Sequence, residues 1–324
     1  MKRFIIKLLA LGLPFVLFLG AYQFMLSSVH PDEYSAKKDL LERRAHEVEV
    51  LVMGSSHAYY GIMPDELGRP AFNLAAVSQS LFYDRALVEK YLDQLPALKM
   101  VILPVSYFTP GYQVDDSIEH WRGHVYYYVY GQHNRNWHKD CSARNFFAYY
   151  LYDTQLGGPG PVFTGKVRDC LGDYDLSGGW TNRVMSTTSQ KPLSLAEDGP
   201  VALKRHRVLM KPPHYPENEA ILEDLVKRLK SRGIKPILIS MPTTHYYRDG
   251  MDAALHQRMQ DILNRVSSEN GIPYLDYEAD PRFVDADFYN SDHLNLAGAR
   301  KFSRLLGAEA VTPAIGQPQQ QGRM

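Results

Sequence analysis

Val48 to Met53 and Met100 to Val105 are apolar apart from Glu49. Runs this short, with no polar alternation, offer no face to water, so each reads as a strand covered on both sides, as in a parallel sheet. Ala71 to Leu74 is a third strand-like piece between them, and a helix with Leu81, Ala86, Leu87 and Tyr91 on one face follows it. This β-α-β rhythm pauses at Thr109-Pro110-Gly111 and resumes at about Glu217. Asn218 to Arg232 is amphipathic and ends at Gly233, a helix stop signal, before a strand from Lys235 to Met241. A helix from Ala253 to Glu269, a strand at Tyr274-Leu275 and a helix from Ala297 to Leu306 complete the pattern. A chain of 324 residues suffices for one large α/β domain.

Before the first strand, Lys2, Arg3 and Lys7 precede Leu8 to Leu26, a run without charge in which Gln23 is the one strongly polar residue. As a helix it would measure roughly 28 Å, close to the hydrocarbon thickness of a bilayer and longer than the core of a signal peptide. A single transmembrane anchor is therefore expected, with a cytoplasmic N-terminus and the main domain exported to the periplasm or another extracytoplasmic space. The competing reading is a cleaved signal peptide ending near Gly20-Ala21-Tyr22. Export would permit a disulfide between Cys141 and Cys170, with two free buried thiols as the alternative.

The expected organisation is an anchor over 1–28, a helical stalk over 29–47, a first half-domain over 48–110, an aromatic-rich insertion over 111–216, a second half-domain over 217–308 and a disordered Pro/Gln-rich tail over 309–324. Within the insertion, Thr187 to Pro200 reads as a polar connection. The 36 basic and 36 acidic residues cancel, which argues against a nucleic-acid partner. His120 and His124 stand four apart but lack an accompanying Cys or acidic ligand set, so no metal site is assigned. Tyr126-Tyr127-Tyr128 and Tyr149-Tyr150 read as packing rather than a binding platform.

Two segments fall just past the carboxyl ends of expected strands, where open α/β sheets place ligands. One is Gly54-Ser55-Ser56-His57; the other is Asn290-Ser291-Asp292-His293-Leu294-Asn295, followed by Gly298-Ala299. Each alone is compatible with capped turns. Together they supply a hydroxyl and an imidazole that could remove its proton, which a weak nucleophile such as serine requires.

With these motifs in these positions, the chain resembles the SGNH/GDSL hydrolase superfamily, and within it a membrane-anchored bacterial branch similar to the D-alanyl-lipoteichoic-acid protein DltD and the alginate O-acetylation proteins. The resemblance covers Val48 to Val105 and Glu217 to Leu306. It implies a flavodoxin-like three-layer α/β/α fold, with Ser56 as nucleophile and His293 as base. The family usually carries Asp three residues before the histidine; here Asn290 occupies that place and Asp292 directly precedes His293, so either could orient the imidazole. The oxyanion donors would be the Ser56 amide, Ala75 or Ala76, and Ser106 in place of the family's Asn. His57 is read as a pocket wall. His245 and Tyr246, beyond the Lys235 to Met241 strand, are candidate substrate contacts.

The implied activity is transfer or hydrolysis of an acyl group, with acetyl expected, on a cell-envelope polysaccharide outside the bacterial inner membrane. The resemblance further implies a membrane acyl-donor protein as partner. No cofactor is called for. A non-catalytic glycan-binding or assembly subunit and a lipase- or thioesterase-like hydrolase are the other readings.

Overall fold

The computed structural model describes residues 2–29, 33–120, 122–136, 177–180 and 194–316. Helix α1, Lys2–Val29, contains Pro14. With Glu33 to Ala36 it belongs to a unit distinct from the compact body that begins at Lys37. No helix among the described residues is long and apolar enough to cross a membrane. The expected span from Leu8 to Leu26 includes Leu8, Leu9, Leu19 and 22–26, whose side chains lie outside the described residues.

The body is built on five parallel strands: β1 (Val50–Val52), β2 (Ala71–Asn73), β3 (Met100–Pro104), β4 (Lys235–Ser240) and β5 (Tyr274–Asp276). Their order is β2-β1-β3-β4-β5, the flavodoxin-like arrangement whose switch point lies between β1 and β3. Residues alternate between the two faces of a strand. Val50, Val52, Met100, Ile102, Ile237 and Ile239 share one hydrophobic cluster with Tyr59 and Phe302. Those two rings come from α3 (Ser56–Gly61) and from a C-terminal helix, Leu296–Leu306, whose side chains thus cover that face. Leu51, Val101, Leu103 and Leu238, also buried, point to the other side. There α4 (Leu81–Tyr91) packs against a helix over His214–Ser231, which also packs on β4 and on a helix over Ala253–Asn270. The parallel sheet covered on both faces, expected from the strand pattern, is present, and with it the three-layer α/β/α arrangement that the resemblance implies.

Among the described residues the remaining α-helices are, in chain order, α2 (Glu33–Arg44), α5 (Arg122–Tyr130), α6 (Leu195–Leu209), α7 (His214–Ser231), α8 (His245–Arg248), α9 (Ala253–Asn270), α10 (Leu296–Leu306) and α11 (Thr312–Ile315). The stop at Gly233 has its physical basis in a φ of 73°, and Gly271 ends α9 in the same left-handed conformation at 59°.

The described residues bear on four of the expected segments. The stalk is not free of the domain from Lys37 onward: Leu41 and Lys37 are buried, with Lys37 Nζ donating to Ala75 O at 2.6 Å. Of the insertion, 111–120, 122–135, 177–180 and 194–216 fall in the same compact unit as the sheet. The part of the polar connection that is described becomes the start of α6: Ser194 and Glu197 form a reciprocal capping box, and Thr187 to Leu193 lie outside the described residues. Of the tail, residues through Ile315 are helical and 317–324 lie outside the described residues. Cys141, Cys170, Tyr149 and Tyr150 lie outside them too. Tyr126 is core, stacked on Tyr83 with ring centroids 3.8 Å apart.

Candidate active site

The Gly54-Ser55-Ser56 turn follows directly from β1. Gly54 sits at φ 110°, where an L side chain is strained, and an added Cβ would press on Ala58 and Pro104. Its N–H donates to Asp84 Oδ1 at 2.9 Å. Gln79 Nε2 donates to the same oxygen at 2.6 Å. Burial pushes the Asp84 carboxyl up to about 6, against the pull of these two donors. The turn places Ser56, half-buried, as the first residue of α3.

The second segment is tied down from several sides. Asn295 caps α10 by accepting from Gly298 N at 2.9 Å, and its amide donates to Ala286 O at 2.7 Å. A side chain on Gly298 would collide with the Asp287 carbonyl, so the glycine lets the loop lie against the start of α10. Tyr289 N donates to His293 O at 2.9 Å, closing the loop on itself. Ser291 O accepts from Thr244 N at 3.0 Å, and Ser291 N donates to Asp198 Oδ2 of α6 at 2.9 Å.

These two segments meet. His293 Nε2 lies 2.9 Å from Ser56 Oγ. On the other side of the ring, Nδ1 lies 3.0 Å from Asn290 Oδ1 and 3.0 Å from Asp292 Oδ1. Asp292 accepts only, and Asn290 Oδ1 already takes the His293 N–H at 2.9 Å. Nδ1 therefore carries the ring proton, and Nε2 is left as the acceptor for the Ser56 hydroxyl. The sequence left Asn290 and Asp292 as alternatives; both reach the imidazole, and Asp292 brings the charge.

Asp292 is fully buried and is surrounded by donors. Its Oδ2 lies 3.3 Å from His57 Nε2, 3.6 Å from Arg205 Nη2 and 3.7 Å from His206 Nε2. Burial alone would raise its pKa, but the charge and hydrogen bond of His293 and the hydrogen bond of His57 hold it well below the usual carboxylate range. Burial pushes His57 down, opposed by its bond to Asp292. Burial likewise pushes His206 down to about 3, opposed by the Asp292 charge. The site thus holds one carboxylate beside two imidazoles, His57 and His206, whose burial favours the neutral form.

Ser56 and His293 open onto a cavity of about 280 Å³ whose walls include Tyr60, Val77, Phe108, Tyr112 and Leu209, with Ser78, Arg205 and Asn290 among its polar groups. Ala75 and Ala76 are elsewhere engaged. The Ala75 amide donates to Asn73 Oδ1 at 3.0 Å and the Ala76 amide to Gly54 O at 3.2 Å, so neither can serve an oxyanion without breaking its bond. Ser106 is also turned away, its Oγ lying 2.7 Å from His57 Nδ1 and its amide donating to Thr109 Oγ1. Among the residues that line the cavity, Ser56, whose amide opens a helix and has no preceding helical carbonyl, Ser78, Asn290 and Arg205 carry donor groups.

His245 and Tyr246 lie off this cavity. The single turn of α8 packs against α6, with Gly199 against the Tyr246 backbone, and Tyr246 lines a separate depression with Lys204 and Arg207. The intervening α6 brings Arg205 and His206 to the catalytic side instead. Sequence reasoning missed both, although Ser194-Leu195-Ala196-Glu197 was a legible helix start. Among the described residues, His57, Asp292 and His293 are the group whose ligand atoms lie close enough to hold a cation, within 4.8 Å of one another.

No family model matches the chain, and no curated protein matches it. Solved structures do. A provisionally named acylhydrolase from Bacteroides fragilis is 10% identical with a TM-score of 0.39, covering 83% of this chain and 91% of its own. A GDSL-like lipase from Bacteroides thetaiotaomicron is 11% identical with a TM-score of 0.40, covering 85% and 97%. A protein provisionally named as a platelet activating factor from Streptococcus pneumonia is 12% identical with a TM-score of 0.40, covering 89% and 97%.

Proposed function

We propose that this chain is a serine-dependent esterase or O-acyltransferase, anchored in the bacterial inner membrane and acting outside it on a cell-envelope polysaccharide. The observation that carries the chemistry is the 2.9 Å contact between Ser56 Oγ and His293 Nε2, with Nδ1 backed by Asp292 and Asn290. Ser56 Oγ attacks the acyl carbonyl as His293 takes its proton, giving a tetrahedral oxyanion. Collapse expels the donor alcohol, which receives that proton from His293, and leaves an acyl-serine. Water or a sugar hydroxyl, deprotonated by His293, then attacks the ester, and Ser56 Oγ leaves as His293 returns that proton to it.

The uncharged Leu8 to Leu26 run behind Lys2, Arg3 and Lys7 supports the anchor and the exported site. An extracytoplasmic site is cut off from cytoplasmic acyl donors, which supports a membrane acyl-donor protein as partner. Acetyl remains the expected acyl group.

Turnover of a chromogenic acetyl ester by the purified protein tests the chemistry. Ser56→Ala is expected to lower it by at least about 10³-fold. Equal slow release by both forms would instead favour a non-catalytic glycan-binding or assembly subunit. Envelope polysaccharide from cells carrying His293→Ala is expected to lose acetate; unchanged acetate would point to a lipid or thioester substrate.

A further inference from the structure

We propose that His57 and Ser106 are a positioning pair that clamps the far oxygen of Asp292, so that its near oxygen stays on His293. This rests on the reading of Ser56 as nucleophile.

Asp292 immediately precedes His293, and neighbouring side chains in an extended segment diverge. The loop must bend to bring Asp292 Oδ1 to Nδ1, and a carboxylate held at one oxygen can pivot. Oδ2 is where the pivot is stopped. His57 Nε2, at 3.3 Å, is its hydrogen-bond partner among the described residues. Arg205 and His206 stand at 3.6 and 3.7 Å, too far for a strong bond, and Arg205 is half-exposed.

The chemistry of the atoms fixes the direction of the chain. Asp292 can only accept, so His57 carries its proton on Nε2. Nδ1 is then an acceptor, and the Ser106 hydroxyl at 2.7 Å donates to it. Two arms converge on one carboxylate: Ser56 and His293 on Oδ1, Ser106 and His57 on Oδ2. They differ in access. Ser56 and His293 line the cavity, whereas His57 and Ser106 are buried and absent from its wall. The second arm therefore meets no substrate and acts through Asp292.

Its placement has a simple origin. Ser56 and His57 are adjacent at the start of α3, so the turn that presents the nucleophile also sets the clamp. Ser106 comes from the end of β3, across the switch point from β1. The charged and titratable groups facing this cluster are Asp292 and His293 of the loop, Arg205 and His206 of α6, and Tyr247 of α8 behind His206. Phe108 closes the remaining side with an edge contact to the His57 ring.

The test is steady-state ester hydrolysis by the full-length protein in detergent, with thermal melting as the folding control and Ser56→Ala as the reference. His57→Ala is expected to lower kcat about 10- to 100-fold with KM changed less than about twofold, and His57→Gln, whose amide can donate to Oδ2, to recover most of it. Ser106→Ala is expected to cost several-fold on its own, about the effect of one buried hydrogen bond, and nothing further in the His57→Ala background. Because Ser106→Ala removes one oxygen atom, it serves even where His57→Ala does not fold. Wild-type kcat in folded His57→Ala or in Ser106→Ala, with Ser56→Ala inactive, overturns the clamp and leaves the nucleophile in place. Activity retained by Ser56→Ala overturns the reading of the site on which the clamp rests.

Discussion

The two sides of the Ser56 cleft are furnished unequally. On the proton-handling side, one buried carboxylate is met by three imidazoles and a guanidinium, with its Oδ1 on His293. On the oxyanion side, the amides of Ala75 and Ala76 are spent on the internal geometry of the strand end, and Ser106 serves His57. The Ser56 amide remains, with Ser78, Asn290 and Arg205 among the residues that line the cavity. The difference teaches where the rate should be sensitive. Activation of Ser56 is strongly preorganised, while stabilisation of the tetrahedral oxyanion, commonly the largest electrostatic term, leans on few donors.

The largest expected effect falls on the rich side. Asp292→Asn removes the charge that supports the imidazolium and permits the wrong tautomer, and kcat is expected to fall by about 10³-fold in stopped ester assays. A loss under about tenfold would mean that Asn290 alone orients His293, and the asymmetry would disappear.

The crowding of imidazoles also has a thermodynamic signature. The folded-state pKa of His206 lies at about 3 against its usual 6.5, so below 6.5 the unfolded chain takes up a proton that the folded chain refuses. Stability is then expected to fall as pH drops from about 6.5 toward 3, by up to about 1.4 kcal/mol per pH unit for this group. His57 and Asp292, both shifted down, act in the same direction, Asp292 only below its usual value. Asp84, raised to about 6, acts oppositely between its usual 3.8 and 6. Urea unfolding across this range, compared with His206→Gln, reads the contribution: the variant's slope should be shallower by about one proton.

The support of the nucleophile turn is next. Asp84→Ala leaves the Gly54 N–H and the Gln79 amide without their buried acceptor, and is expected to destabilise the fold by about 1–3 kcal/mol in equilibrium unfolding, while Asp84→Asn, which keeps an acceptor, should cost less.

The smallest effect probes the sparse side. Asn290→Asp keeps the acceptor on His293 and deletes the side-chain amide donor of a residue that lines the cavity. It is expected to lower kcat by several-fold; a rise would show that this amide does not serve the oxyanion and that a second carboxylate on His293 is the better arrangement.

How far the sequence revealed this depends on whether a feature is local. The strands were legible because each is a short apolar run between turn residues, and Ser56 and His293 because they follow strand ends or precede a helix with a recognisable cap at Asn295 and glycine at Gly298. The fates of Ala76 and Ser106 were not legible, since their partners Gly54 and His57 are set by tertiary packing, whereas Ala75 is held locally by the Asn73 side chain two residues before it. Helix α6 was obscured by Gly199 and Pro200, two poor helix formers just inside its start. With α6 unread, Arg205 and His206 had no place at the site, and the strand end after β4 drew attention to His245 and Tyr246 instead.

The central claim is that Ser56 is the nucleophile activated by His293, and a fluorophosphonate probe with intact-mass analysis and peptide mapping reads it directly. One adduct per chain on Ser56, absent in Ser56→Ala and formed far more slowly in His293→Ala, is the expected result. An unreactive wild-type chain, or an adduct that persists in Ser56→Ala, would contradict it.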